Sequence, residues 1–485
     1  MTIRDLSSAD AHTPEEPMPK ISLLTIFRLG LFNLGLGLMA VLTLAVLNRI
    51  MISELGIPGT VAAGVLAMSS LIAPARVWFG QLSDSKPLLG LHRTNYVRLG
   101  TAAFGITVFL AIQAVWQLGA LLRDHGGWYW DGEIMGWTMI LGGLLALYGL
   151  AVSSSSTPFT ALLVDISEEE NRSKIVAIVW SMLMVGIVIG GITGKVSLDR
   201  LQRGEDNLPI PLETLQQSVN VLFIVVPLIV LGLAFLATWQ VERRYSLYRQ
   251  RSRLGDREDG ITLRKALSVL TASRQTAIFF TFLVMVTLSL FMQEAVLEPY
   301  GGDIFGMSIG ETTLLNSYWG MGILLGYSFT GFLVVPRLGK VLTAKIGCIL
   351  VSICFGIIIL SGLTQAVMML KLALVLFGIA SGVTTIAAIS LMLDLTMAET
   401  AGTFIGAWGL AQAMARGIAT WGGGTVLDIG KQFFATPFLA YSSVFATEGI
   451  IILLAIAVLN RVNVEEFQTS TRAAIATVME GELDG

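Results

Sequence analysis

The sequence is poor in charged residues. Only 13% of its 485 residues are Asp, Glu, Lys or Arg, whereas an ordinary soluble protein has roughly 25%. Because 54% of the residues are hydrophobic, a chain of this length cannot present a water-soluble surface, which excludes a soluble enzyme and a disordered protein. The formal net charge of −3 provides no basic surface for nucleic acid.

Cysteine and histidine are also scarce. The two cysteines, Cys348 and Cys354, lie in an apolar run, where we expect small core residues and no disulfide framework. The three histidines are His12, His92 and His125, and none falls in a predicted membrane helix. No phosphate-binding loop, Ser–His–Asp arrangement or metal-ligand spacing is present, so we expect neither catalysis nor a metal site.

Long apolar runs are abundant. A bilayer core requires about 20 mostly apolar residues per helix, and twelve such runs lie near 28–48, 60–80, 98–118, 134–153, 174–195, 217–239, 275–293, 313–335, 341–363, 366–393, 403–426 and 438–460. Spans five and eleven contain several glycines, which permit close helix crossing. The predicted fold is an all-α polytopic membrane protein with twelve transmembrane helices in the lipid bilayer.

The distribution of Lys and Arg predicts the orientation and the domains. Placing both termini in the cytoplasm gives the cytoplasmic segments a roughly threefold excess of basic residues. The predicted order is a cytoplasmic N-terminal tail (1–26), a six-helix half (27–240), a basic cytoplasmic linker (241–274), a second six-helix half (275–460) and a cytoplasmic C-terminal tail (461–485).

Weak internal repetition supports two related halves. Asp165 ends span four and precedes Trp180, and Asp394 ends span ten and precedes Trp408 at nearly the same interval. Two parallel six-helix halves, with a ligand site between them near the membrane midplane, are the architecture of major facilitator transporters.

Two cytoplasmic connections resemble loops of that superfamily. The segment from Gly80 through Asp84 to Arg93 resembles the pattern G-x-L-x-D-R-x-G-R-R, with an insertion and a serine in place of the usual arginine. The segment from Asp165 to Arg172 resembles the loop after span four. The resemblance implies a clasp between the halves on the cytoplasmic side, in which Asp84 faces the positive end of a neighbouring helix.

Four longer stretches resemble one branch of this superfamily more closely. They cover 41–51, 73–80, 91–96 and 401–417, and they resemble the PucC/LhaA-like bacteriochlorophyll-delivery proteins of photosynthetic prokaryotes. The resemblance implies a carrier of chlorophyll or bacteriochlorophyll, held as bound cargo and not as a permanent cofactor. It further implies delivery to nascent light-harvesting or photosystem subunits, in a photosynthetic membrane (thylakoid or intracytoplasmic) or the plasma membrane.

Two other functions stay open on the residues alone. One is an ion-coupled exporter of another amphiphilic small molecule, and the other is a pigment-free assembly scaffold. An exporter of this kind needs a protonatable carboxylate deep in a span, and the candidates Glu294 and Asp394 lie near predicted helix ends. A pigment carrier without membrane-embedded histidine would have to use weaker oxygen ligands such as Asn or Gln.

Six side chains are candidates to line a ligand cavity. Arg416 lies roughly 20 Å into span eleven, where a lipid-facing arginine would cost roughly 2.5 kcal/mol or more, so it should face protein, water or ligand. A guanidinium can hydrogen-bond the carbonyl groups of a chlorin and stack on its ring. Snorkelling would explain an arginine near a span end equally well, and core packing is the commoner role of a tryptophan. The set is Asn33, Arg76, Trp180, Trp408, Gln412 and Arg416.

A charged pair is predicted near the outer ends of spans one and seven. Arg49 follows Arg28 by 21 residues and Glu294 follows Arg274 by 20, so both lie roughly 30 Å from the bases of their helices. Opposite charges at equal depth could pair when the outer mouth closes. Two separate, solvated charges are the commoner outcome for such positions.

Overall fold

In the computed structural model the chain folds into long helices. The residues described are 21–167, 169–199, 201, 210–245, 274–394 and 401–462. Within them, twelve long helices coincide with the predicted spans and are numbered accordingly: α1 (Leu23–Glu54), α2 (Gly59–Gly80), α3 (Thr94–Asp124), α4 (Gly132–Asp165), α5 (Glu169–Leu198), α6 (Leu212–Thr238), α7 (Arg274–Ala295), α8 (Ile309–Phe329), α9 (Lys340–Thr364), α10 (Val367–Asp394), α11 (Ala401–Phe433) and α12 (Pro437–Leu459).

The all-α membrane fold is confirmed. Ten helices of the described residues are long and apolar enough to cross a bilayer, which makes the chain an integral, multi-pass membrane protein. α8 and α11 are not among these ten, although their 21 and 33 residues provide sufficient length. The spanning role of these two helices therefore stays a prediction.

Several helices depart from regular α geometry. We use "outer" for the side predicted to be exterior, where connections 55–58 and 296–308 lie. In its outer half α1 becomes π-helical at Val41–Leu47 and Ile50–Glu54. α7 passes into a 3-10 turn, Met292–Ala295, followed by a short helix, Leu297–Phe305. Broken helices expose backbone groups and are frequent at the ligand sites of transporters.

Two large clusters of buried apolar side chains form the interior. The members of one lie between 38 and 230, with Ile309 added, and those of the other between 279 and 459, with Ala63 added. Both cysteines are buried in the second cluster as free thiols, as expected. The predicted domain division itself stays a prediction, because 1–20, 246–273 and 463–485 lie outside the described residues.

Glycines bring the two sets of helices into direct contact. A Cβ at Gly424 of α11 would overlap the backbone of Gly59 at the start of α2. A Cβ at Gly191 of α5 would overlap the side chain of Ser317 in α8. The predicted close crossings of spans five and eleven are therefore confirmed, and their partners are α8 and α2.

Candidate functional site

A buried polar network surrounds the break in α7. The fully buried Asn48 of α1 donates from Nδ2 to the carbonyl oxygens of Glu294 (3.3 Å) and Ala295 (2.9 Å). These acceptors are free because the chain leaves α-helical geometry after Phe291. A side chain of the first six helices thus satisfies the backbone of the last six.

Arg49 extends this network toward the outer surface. Its guanidinium lies 3.1 Å from Glu54 Oε1 and 3.4 Å from Asp303 Oδ1, and the residue is only 2% exposed. Asp303 also accepts a hydrogen bond from the Tyr441 hydroxyl of α12 (2.7 Å). A Cβ at Gly302 would overlap the guanidinium, so the close approach of the short helix to α1 requires glycine there.

Glu294 pairs with α11 and not with α1. Arg416 donates from Nε to Glu294 Oε2 at 2.9 Å and from Nη2 to Oε1, a two-point ion pair. The predicted Arg49–Glu294 pair is therefore corrected, and so is the solvated alternative, because Glu294 is only 7% exposed. The predicted depth of Glu294, counted in residues from Arg274, assumed that α7 is a continuous helix. The break instead presents Glu294 to α11, and the short helix supplies Asp303 to Arg49.

We call this network the outer seal. It joins α1, α7, the short helix 297–305, α8, α11 and α12 through the residues Asn48, Arg49, Glu54, Glu294, Glu298, Asp303, Asn316, Arg416, Tyr441 and Glu448. Its position between the two sets of helices is the place at which an outer mouth would have to close.

Arg416 lies on the inner face of the outer seal, the side that faces away from the exterior. Its side chain is 37% exposed although it lies deep in α11, and its guanidinium carbon is 4.7 Å from the centre of the Phe291 ring. Arg416 thus faces protein, at the Glu294 carboxylate and the Phe291 ring. Gln412, one turn earlier, is partly buried.

The remaining cavity candidates are placed differently. Arg76 is exposed and close enough to Arg416 for the two charges to repel. Asn33 is buried, Trp408 packs against the second apolar cluster, and Trp180 is exposed. The ligand roles of all six candidates stay predictions.

The cytoplasmic motif residues form a second buried network. Arg93 donates from Nε to Asp165 Oδ2 (2.9 Å) and from Nη1 to Ser83 Oγ (2.6 Å). The carboxylate of Glu242 accepts from the backbone N–H groups of Arg93 and Thr94, which caps the start of α3. These contacts join the connection after α2, the start of α3 and the end of α4 to Glu242, which lies just after the first half.

Of the other residues predicted to form the clasp, Gly80 makes no close helix contact, and the rest have side chains outside the described residues. The side chains of Asp84 and Arg172 lie outside the described residues, and so does that of Asp394. A Cβ at Gly80 would meet Thr157 only at an ordinary 3.6 Å, so no close helix contact requires glycine there. The clasp between the halves stays a prediction.

Several buried carboxylates escaped the sequence analysis. Glu298 Oε1 accepts from Asn316 Nδ2 of α8 at 2.5 Å, and the fully buried Glu448 of α12 accepts from the backbone N–H of Gln293. Asp428 of α11 accepts from the N–H groups of Gly59 and Thr60 at the start of α2 (2.8 and 2.7 Å). A signal for Glu448 existed, because it is the only charged residue in span twelve. Glu448, near the middle of α12, is therefore a deep carboxylate beyond the candidates Glu294 and Asp394.

Comparison with known proteins identifies relatives along nearly the whole chain. The profile of the family described as "PUCC protein" matches residues 46–467. The chain is 28% identical to "Protein PucC" of Rhodobacter capsulatus over 93% of this chain and 94% of that protein. It is also 28% identical to the "Bacteriochlorophyll synthase 44.5 kDa chain" of the same species, over 95% of this chain and 99% of that one.

Solved transporter structures share the fold. A point mutant of the nucleoside transporter NupG aligns over 90% of this chain and 99% of its own with a TM-score of 0.67 at 11% identity. The xylose transporter XylE from E. coli, in a partially occluded inward-open conformation, aligns over 89% and 96% with a TM-score of 0.56 at 13% identity. These similarities show the major facilitator fold alone.

Proposed function

The chain belongs to the PUCC protein family, and on this basis we propose that it binds chlorophyll or bacteriochlorophyll and delivers it during assembly of light-harvesting or photosystem complexes. The name of one relative refers to bacteriochlorophyll, and the fold is that of transporters that move small molecules. The proposed location is a photosynthetic or plasma membrane, with both termini in the cytoplasm.

The observation that carries this proposal is the environment of Arg416. A guanidinium has five N–H donors, and the Glu294 carboxylate accepts from two of its nitrogens. The exposed part of Arg416, beside the Phe291 ring, offers donors to the carbonyl or ester oxygens of a chlorin and a flat surface for its ring. A pigment held by such hydrogen bonds and stacking is released more readily than one whose magnesium is bound by an imidazole.

This arrangement couples the ligand to the outer seal. A pigment oxygen that draws Arg416 away from Glu294 weakens the ion pair between α11 and α7. Ligand binding on the inner face therefore biases the closure of the outer mouth, which is the linkage that alternating access requires. The positive charge of Arg76 acts on Arg416 and adds to the attraction for the oxygens of a ligand.

The test is pigment co-purification from a photosynthetic host. The protein is purified in mild detergent and its visible absorption spectrum is recorded. We expect a chlorin band from the wild type and its loss from Arg416→Leu, with Arg461→Leu, an exposed arginine after α12, as the matched control. A colourless wild-type monomer would contradict pigment carriage, and a colourless complex with antenna subunits would favour a scaffold.

An assembly phenotype tests the same proposal in cells. Deletion in a strain without a paralogue should lower at least one chlorophyll-binding complex while synthesis of free pigment continues. Normal amounts of every antenna and reaction-centre complex would contradict the proposal.

A specific observation favours ion-coupled export as the second candidate function. Glu298 is a buried carboxyl group at the contact between the halves, and Glu448 is buried between α7 and α12; a proton-coupled transporter requires such groups. Transport of a colourless amphiphile driven by a pH gradient, with no bound chlorin, would support this alternative.

A further inference from the structure

We propose that Glu298 is a proton-binding site and that its protonation holds the outer seal closed. The ligand is a proton taken from water at the outer mouth. The inference concerns the outer seal alone, so it does not depend on which cargo the protein carries.

The position of Glu298 links both halves of the molecule. It lies in the short helix Leu297–Phe305, beyond the membrane span Arg274–Ala295, and is 2% exposed. Its Oε1 accepts from Asn316 Nδ2 of α8 at 2.5 Å, and its Oε2 lies 3.5 Å from Asn48 Nδ2 of α1. Separation of α1 from α8 would therefore expose this carboxyl group to water.

Both arginines of the outer seal are already paired. Arg49 pairs with Glu54 and Asp303, and Arg416 pairs with Glu294, so the described residues leave Glu298 without a cation. The charged and titratable groups on the outer parts of the elements packed around Glu298 are Glu294, Tyr300, Asp303, Arg49, Glu54, Glu311, Tyr318, Arg416, Asp428, Lys431, Tyr441 and Glu448. An unpaired buried carboxylate is costly, whereas the neutral acid is not.

The effect on titration follows from this burial. Removal from water raises the pKa of Glu298 to about 7 and the charge of Glu294 adds to the rise, while hydrogen bonds from Asn316 and Asn48 act in the opposite direction. An exposed glutamate titrates near pH 4.3. The closed outer seal thus binds the proton more tightly than an open one.

The Asn48 amide next to Glu298 carries a buried acceptor that has no hydrogen-bond partner. Asn48 Oδ1 is buried without a hydrogen-bond partner, and the carbonyls of Glu294 and Ala295 fix the amide orientation by accepting from Nδ2. A protonated Glu298 has an O–H that can donate to this oxygen. Gln293 Oε1 and Glu448 Oε2 are likewise buried acceptors without a hydrogen-bond partner.

The direction of the pH effect follows from linkage. Because the closed state has the higher pKa, acidification from pH 8 to pH 5.5 favours closure and deprotonation favours opening. Above the raised pKa both states are deprotonated and the dependence ends. At a pH between the pKa of the open state and that of the closed state, opening to the outside releases one proton from Glu298, and closing takes one up.

The experiment measures opening with a cysteine between the halves. Ser317 of α8 is buried, and its hydroxyl donates to the Val188 carbonyl of α5, so Ser317→Cys is labelled only when these helices separate. The rate of maleimide labelling of the purified full chain is compared with that of the same chain carrying Glu298→Gln, which mimics the neutral acid. The pH dependence of the reagent cancels in the ratio of the two rates at each pH.

We expect the labelling rate with the unsubstituted glutamate, divided by the rate with Glu298→Gln, to rise about tenfold from pH 5.5 to pH 8. Glu213→Gln, an exposed glutamate at the start of α6, is the matched control and should behave as the unsubstituted glutamate at every pH. The chain without Ser317→Cys gives the background from Cys348 and Cys354.

Three results would overturn the proposal. The first is a rate ratio that does not change with pH. The second is a Glu213→Gln variant that alters labelling as much as Glu298→Gln does. The third is a Glu298→Gln variant that fails to fold or melts below wild type at pH 5.5, since an amide should replace a neutral acid without loss.

Discussion

Removal of Arg416 should destabilise the protein more than removal of its partner. Arg416→Leu leaves Glu294 as an uncompensated charge that is only 7% exposed. Glu294→Gln leaves an arginine whose side chain is 37% exposed, which water can solvate. Breaking a fully buried pair costs about 3–5 kcal/mol and an exposed pair contributes about 0–1 kcal/mol. We expect a loss of about 2 kcal/mol for Arg416→Leu and about 1 kcal/mol for Glu294→Gln, between those limits.

The double variant isolates the interaction between the two residues. Glu294→Gln added to Arg416→Leu removes the uncompensated charge, so it should restore about 1 kcal/mol instead of causing a further loss. The assay is thermal unfolding in one detergent, followed by circular dichroism for the wild type, both single variants and the double variant. Additive losses would refute the ion pair as described, as would an Arg416→Leu variant as stable as wild type.

The remaining predictions use the same unfolding assay. Arg93→Gln should lose about 3 kcal/mol because it breaks the buried Arg93–Asp165 ion pair, and Asp165→Asn added to it should recover part of that loss. Gly302→Ala should lower the melting temperature well below that of Gly136→Ala, because a Cβ at Gly302 overlaps a guanidinium and one at Gly136 meets open space; equal effects would contradict the close approach. Asp428→Ala should lose about 1 kcal/mol as a helix cap is removed, and an unchanged midpoint would contradict the cap.

The helices could be predicted because the bilayer restricts the possible structures. A backbone in hydrocarbon must satisfy its own hydrogen bonds, so an apolar run of sufficient length implies a helix whatever its neighbours are. The position of Arg416 away from lipid could also be predicted, because the free-energy cost of a lipid-facing arginine depends on its depth in the bilayer alone. Both inferences required no knowledge of the tertiary structure.

The partners in the site could not be predicted in the same way. Counting residues gave Arg49 and Glu294 equal depth, but the break after Phe291 rotates the chain, and no proline or glycine precedes the break to mark it. Which of the five carboxylates of the outer seal pairs with each of its two arginines depends on that rotation. Glu448 could have been found, because a lone charge in an apolar span has to be buried against protein.

The Arg49–Glu54 pair has a consequence for biosynthesis. The two residues lie five positions apart in α1, so the guanidinium has a carboxylate partner before any later helix has been made. Asp303 becomes available only after more than 240 further residues have been added. Glu54 can therefore neutralise Arg49 as soon as the first helix has been inserted into the membrane. Asp303 adds its contact with Arg49 after the short helix 297–305 has been synthesised. Arg49 thus acquires its two carboxylate partners, Glu54 and then Asp303, in the order in which the chain is synthesised.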